Sequence, residues 1–327
     1  MRVWGMSAAL VLGFAATAAA GPLDLKQVPA EAKWVVHVDV DAMRSSVLVQ
    51  RAYDRLSEKR PDVERRLDEV TDLVSNLGID LERELHGMTV YGKQIGQHEG
   101  VLLVDATVDR KALLEKADQA PDHQMTKYGD YELHSWTDAK GRQHEHPMAG
   151  TLSKSNLLVF APTVDQIKPA LDVLDGKSAS LSGKESSLTA GTPAGAMIVI
   201  RAVGLADAKL PLKSPLVAQC EAVSLMIGEQ DGKVSAEGKL FTKSKETAEQ
   251  IKAIVEGGRA AAELRAGNDA EAAKVIKTVK VNLADTTLSV EFSSPVDDVW
   301  TLAEKAAKEI GKRAEKKTEA EKPGDQK

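Results

Sequence analysis

Apolar and polar residues alternate in short runs along this chain. Between them lie stretches where apolar positions recur every three or four residues, so strands and helices can be read by period. The first strong strand is Trp34–Val40, with Val36, Val38 and Val40 on one face and His37 and Asp39 on the other. The valine face is expected to be buried and the polar face to meet water. Helical periodicity follows over Ser45–Leu56 and Asp62–Leu77, the second ending at Gly78. Strands are predicted near Met88–Tyr91 and Val101–Thr107, then a helix from Asp109 to about Ala117. Gln124–Lys127 and Tyr131–Trp136 flank Gly129-Asp130 as a hairpin. Met148–Leu152 and Leu157–Phe160 form another, leading into a helix over Thr163–Leu174.

The same order returns in leaner form. Ala196–Ala202 reads as a strand, and Glu221–Ile227 pairs with Lys233–Phe241 across Asp231-Gly232, a dipeptide suited to a tight hairpin turn. Ser244–Leu264 is helical with a predicted break at Gly257-Gly258. Val275–Leu283 and Thr287–Phe292 make a hairpin, and Pro295 opens a helix to about Lys312. Local matches support a duplication: Pro29-Ala30-Glu31-Ala32 precedes the first strand, and Pro193-Ala194-Gly195-Ala196 precedes its counterpart. Under that alignment Arg201 stands where His37 does. The predicted fold class is α+β: two tandem related modules, each an antiparallel sheet with helices packed on one face. Module 1 spans 21–175 and carries an inserted hairpin region. A Ser-, Gly- and Lys-rich linker covers 176–192, and module 2 spans 193–312. Residues 313–327 are a Lys/Glu-rich tail without apolar periodicity, expected to be disordered.

Residues 1–20 change the picture. Arg2 is followed by an apolar and small-residue run, Met6–Ala20, ending Ala18-Ala19-Ala20 before Gly21-Pro22. That is the layout of a signal peptide cleaved after Ala20. The run is short for a span, which needs about 20 apolar residues. The mature chain is therefore expected in the periplasm or outside the cell, with no integral membrane span left after cleavage. The chain resembles a loose group of exported bacterial proteins in which a signal peptide is followed by a Pro-Ala-x-Ala motif, a valine-rich strand and α+β modules. The resemblance rests on Pro29–Val40 and its echo at Pro193–Ala202, and it carries no activity or site residues.

Charge narrows the partners. The net charge is −6 over the 327 residues and −7 once Arg2 is removed, with no basic stripe, so nucleic acid is not an expected partner. Dinucleotide, phosphate-loop and nucleophile-elbow motifs are absent from the sequence, and no cofactor is expected. The one cysteine, Cys220, reads as a small buried hydrophobe.

Candidate chemistry gathers between 123 and 146. Four of seven histidines lie there (His123, His134, His144 and His146), with Tyr128, Tyr131 and Trp136. Tyr128, Tyr131, His134 and Trp136 are the expected contacts for a small ligand or an envelope-protein partner. His144-Glu145-His146 puts two imidazoles on one face of an extended segment, a pair that suits zinc, copper or nickel. His134 or His123 is the candidate third ligand. A second constellation is His37-x-Asp39-x-Asp41, three polar side chains on one face if the strand continues. The leading expectation is an exported non-catalytic binding protein. The alternatives are a metal-binding protein or metal-dependent hydrolase using the histidines, and a carrier of an apolar molecule such as lipid.

Overall fold

The computed structural model describes residues 21–59, 78–80, 82–95, 100–138, 146–205 and 219–320. The predicted signal peptide, the helix expected at 62–77, His144 and the last seven residues lie outside them.

The fold is α+β, built on one antiparallel sheet of twelve strands. The first module contributes β1 (Trp34–Asp39), β2 (Leu85–Gly92), β3 (Gly100–Ala106), β4 (Gln124–Tyr128), β5 (Tyr131–Asp138), β6 (His146–Leu152) and β7 (Leu157–Ala161). The second contributes β8 (Ala196–Val203), β9 (Cys220–Gln230), β10 (Lys233–Thr242), β11 (Lys280–Ala284) and β12 (Thr287–Pro295). The halves join through their first strands, with Trp34 opposite Ala202 and Val38 opposite Ile198. Read outward from that seam, one side runs β1-β2-β3-β7-β6-β5-β4 and the other β8-β9-β10-β12-β11. The two series match position for position once the β4–β5 hairpin is set aside.

Helices cover both faces. In order they are α1 (Val40–Ser45), α2 (Val47–Lys59), α3 (Arg110–Asp118), α4 (Val164–Leu174), α5 (Lys245–Ala266), α6 (Ala270–Ile276) and α7 (Val296–Ala320). Successive strand residues point to opposite sides of a sheet, so neighbours such as Leu103 and Val104 mark two separate cores. On the front face, Val35, Leu103 and Val159 pack against Ile167, Ala170 and Leu171 of α4. On the back face, Val104, Leu158 and Phe160 pack with Leu113 of α3, while Ala202 and Leu288 pack with Ile251 of α5.

The segment connecting the halves is itself core. Leu181 and Leu188 are both 1% exposed against the front face, a burial that stabilises by about 2 kcal/mol each. Arg201 of β8 holds this strap. It is fully buried and donates from Nη1 to the Leu188 carbonyl at 3.0 Å, and from Nη2 to the Gly191 carbonyl at 3.2 Å and Thr192 Oγ1 at 3.1 Å.

Five local expectations are corrected. On β1 it is Val35, His37 and Asp39 that are buried, while Val36 and Val38 are half-exposed on the back. The polar side chains survive burial because they are partnered: His37 Nδ1 lies 2.9 Å from Thr89 Oγ1, and Asp39 caps α1 by accepting from the Ala42 amide at 2.8 Å. The helix expected from Ser45 begins earlier, at Val40, and breaks at Ser46. Helix α5 runs unbroken through Gly257-Gly258. Each glycine costs about 1 kcal/mol relative to alanine, and packing of Ala248 and Ile251 offsets that. Val275 belongs to α6, which Asp269 caps, so β11 begins only at Lys280. Helix α7 also continues to Ala320, beyond the expected end near Lys312.

Candidate functional site

The β4–β5 hairpin is the outer end of the sheet on the first module's side. Tyr128 faces Tyr131 across the turn and Met125 faces His134. Alternation then divides the four expected contact residues between the faces. Tyr128 and Tyr131 point to the front, where their hydroxyls donate to Asp172 Oδ2 at 2.9 Å and Asp175 Oδ1 at 2.5 Å, at the end of α4. Burial, then the Asp175 hydrogen bond, pushes the Tyr131 pKa up to about 12. These two side chains anchor the hairpin to α4.

His134 and Trp136 point to the back. Trp136 stands edge-on to Phe160, with ring centres 6.4 Å apart at 87°. Gly150, opposite His134 on β6, makes room for them: a Cβ there would lie 2.8 Å from the Phe160 ring and 3.1 Å from Trp136. A cavity of about 40 Å³ remains between α3 and the sheet, lined by Leu113, His134, Trp136 and Phe160. It has room for a few water molecules, far less than a lipid chain needs.

His134 is 8% exposed and meets His123, which stands between the end of α3 and β4. His123 Nε2 and His134 Nδ1 are 2.9 Å apart. The rings are near parallel, at 16°, with centroids 5.2 Å apart. That spacing is close to the longest that a 2.9 Å contact between ring nitrogens permits, so the rings meet edge to edge rather than face to face. One proton fits between them. On the far side of His123, Nδ1 lies 3.7 Å from Asp118 Oδ1. Burial, then the neighbouring His123, lowers the His134 pKa, which favours the neutral imidazole that binds metals. His134 Nε2 is buried without a hydrogen-bond partner.

Asp118, His123 and His134 each offer a ligand atom, all within 4.8 Å of one another. Two imidazoles on a tetrahedral metal bring their nitrogens to about 3.3 Å, so a small opening of the pair admits an ion in place of the shared proton. Asp118 can swing in as a third ligand or hold the His123 Nδ1 proton, the usual carboxylate–histidine arrangement behind a metal. Its side chain is 68% exposed and free of packing restraint. Among the described residues this is the one group of three such side chains.

The expected pair His144 and His146 stands elsewhere. His144 lies outside the described residues. The backbone of His146 pairs with Asp138, four residues along β5 from His134, a strand distance of about 13 Å. Asp118 was not anticipated: it sits at the end of a helix, and only the turn 119–122, with Asp122 at φ 54°, brings it back beside His123.

The second constellation is divided. His37 and Asp39 share the buried front face, but the chain enters α1 at Val40, and Asp41 instead pairs with Arg44 and with His86 Nδ1 at 3.1 Å. Cys220 is buried, and burial raises its thiol pKa. No described helix is long and apolar enough to cross a membrane.

No family model and no curated protein matches this chain. Among solved structures, crystal form III of TP0453 is similar with a TM-score of 0.43 and 10% identity, over 85% of this chain and 96% of that one. Crystal form IV of TP0453 gives 0.41 and 10%, over 86% and 97%.

Proposed function

We propose that this is an exported, non-catalytic binding protein whose ligand, at the hairpin end of the sheet, is a divalent transition-metal ion. The observation that carries the reading is the 2.9 Å contact between His123 Nε2 and His134 Nδ1 with Asp118 behind it. Imidazole nitrogens with one carboxylate suit zinc, copper or nickel and not the hard ions magnesium or calcium. Beside His134, Leu113, Trp136 and Phe160 with Arg110 and Glu132 bound a cavity of about 40 Å³, room for a few waters next to the ion. The signal-like residues 1–20 support export to the periplasm or beyond.

The test is metal titration of the mature protein followed by calorimetry and elemental analysis, with zinc, copper and nickel in turn. Wild type is expected to bind one equivalent, and His123→Gln with His134→Gln to bind none while remaining folded. Equal uptake by both would overturn the reading. A loss seen only in His144→Ala with His146→Ala would move the site to the segment before β6.

A further inference from the structure

A second polar cavity lies on the front face, where β1, β2 and β3 place their residues in rows. Asp39, Gly87 and Asp105 stand opposite one another in one row, and His37, Thr89 and Leu103 in the next. The cavity is about 220 Å³ and is lined by Gly21, Asp24, Gln27, His37, Thr89 and Asp105. Among the described residues, Asp24, His37 and Asp105 are its titratable groups, and no lysine or arginine lines it.

Two of these groups are in costly surroundings. His37 is 6% exposed and its Nε2 has no hydrogen-bond partner. Burial pushes the His37 pKa down to about 4, opposed by the nearby Gly21 backbone, which favours the protonated ring. The ring is therefore neutral. Burial also raises the Asp105 pKa; His86 nearby pulls it down and Asp41 pushes it up, and the net direction is upward. A cationic N–H donor in this cavity would neutralise Asp105 and, with the His37 ring proton on Nδ1 toward Thr89 Oγ1, donate to His37 Nε2.

The chain can supply that donor itself. Gly21 lines the cavity, and Ala18-Ala19-Ala20 precedes it directly. We propose that cleavage after Ala20 places the new α-ammonium group of Gly21 in this cavity, paired with Asp24 and Asp105 and donating to His37 Nε2. The inference rests on the export half of the proposed function. Hydrolysis of the Ala20–Gly21 amide by a signal peptidase consumes one water, leaving a carboxylate on Ala20 and an ammonium on Gly21. Before cleavage the same nitrogen is a neutral amide. Removal of the leader thus completes the site, and the mature fold differs from the precursor by an added ion pair at the mouth of the cavity. An ammonium stabilised in the folded state has a raised pKa. Its contribution is full below the unfolded α-amino pKa of about 7.7–8.0 and is lost as pH rises through the folded value.

The experiment compares mature protein beginning at Gly21, a form that keeps Ala20 at its start, and Asp105→Asn. It measures the pKa of the terminal ammonium by NMR, together with thermal stability across pH 6 to 10. The expected result is a terminal pKa about one unit or more above its ordinary value for the Gly21 form. The Ala20 form and Asp105→Asn return it toward normal, each with a lower melting temperature below pH 8. An ordinary terminal pKa in the Gly21 form, or equal melting of the Gly21 and Ala20 forms, overturns the proposal. So does N-terminal sequencing of the exported protein that finds a start other than Gly21. Metal uptake at His123 and His134 is expected to be the same in all three forms, so this failure and that of the metal reading are separable.

Discussion

Glu229, near the end of β9, accepts a 2.6 Å hydrogen bond from the Ser46 hydroxyl at the start of α2, a residue from the other half of the chain. The same carboxylate accepts from the Val47 and Leu48 amides, both at 3.0 Å. It therefore caps a helix that begins 182 residues earlier, filling amides that no local side chain satisfies. The positive end of the helix dipole adds to the attraction.

Replacing Glu229 with Ala is expected to cost about 1 kcal/mol, the usual worth of an N-cap, measured by urea unfolding. The pH dependence has a definite sign. Burial works to raise the Glu229 pKa, but the bonds from Ser46, Leu48 and Val47 outweigh it and leave the pKa lowered. The stabilisation is therefore present above the unfolded pKa near 4.3 and is lost as pH falls through the folded value. The difference between wild type and the variant should shrink below pH 4. A difference unchanged from pH 7 to pH 3 would show that the carboxylate charge is not what caps α2.

Arg201→Met keeps the length of the side chain but removes its donors to Leu188, Gly191 and Thr192. Unsatisfied buried carbonyls cost about 1–3 kcal/mol, partly offset because a charged group no longer has to be held away from water. The expected outcome is a net loss of about 2 kcal/mol, with faster amide exchange confined to the strap around Leu188. Exchange that rises uniformly over the sheet would mean that Arg201 stabilises β8 and not the strap.

Tyr131→Phe separates anchoring from ligand binding. The hydroxyl donates to Asp175, and Tyr128 makes the parallel contact to Asp172. Loss of the Asp175 bond is expected to cost about 1–2 kcal/mol in thermal unfolding. Metal uptake should be unaffected, because His123 and His134 meet on the other face of the hairpin. A variant of normal stability that fails to bind metal would place Tyr131 in the ligand site.

The sequence by itself determined the local elements and the repeated order behind them. Hairpin turns such as Asp231-Gly232, with φ of 52° and 70°, depend on two adjacent residues tolerating a left-handed backbone. The β-strands at Trp34, Ala196 and Leu157 show in short apolar runs. The histidines between 123 and 146 stood out in the sequence, but the expected pair was His144 and His146, and only the folded β4–β5 hairpin brings His123 against His134. Tertiary structure decided everything that depends on which side is covered. A strand at the centre of a twelve-stranded sheet has two covered faces, so the valines of β1 could not reveal that His37 and Asp39 occupy the more buried one. The strap 176–192 looked like a polar connector because its composition is polar, while its fate was set by Leu181, Leu188 and an arginine on β8. Asp118 joined the histidines, and Glu229 joined α2, through chain returns that no local period encodes. Local pattern reflects the conformations a segment prefers, whereas burial and partnership arise only when distant segments exclude water from one another.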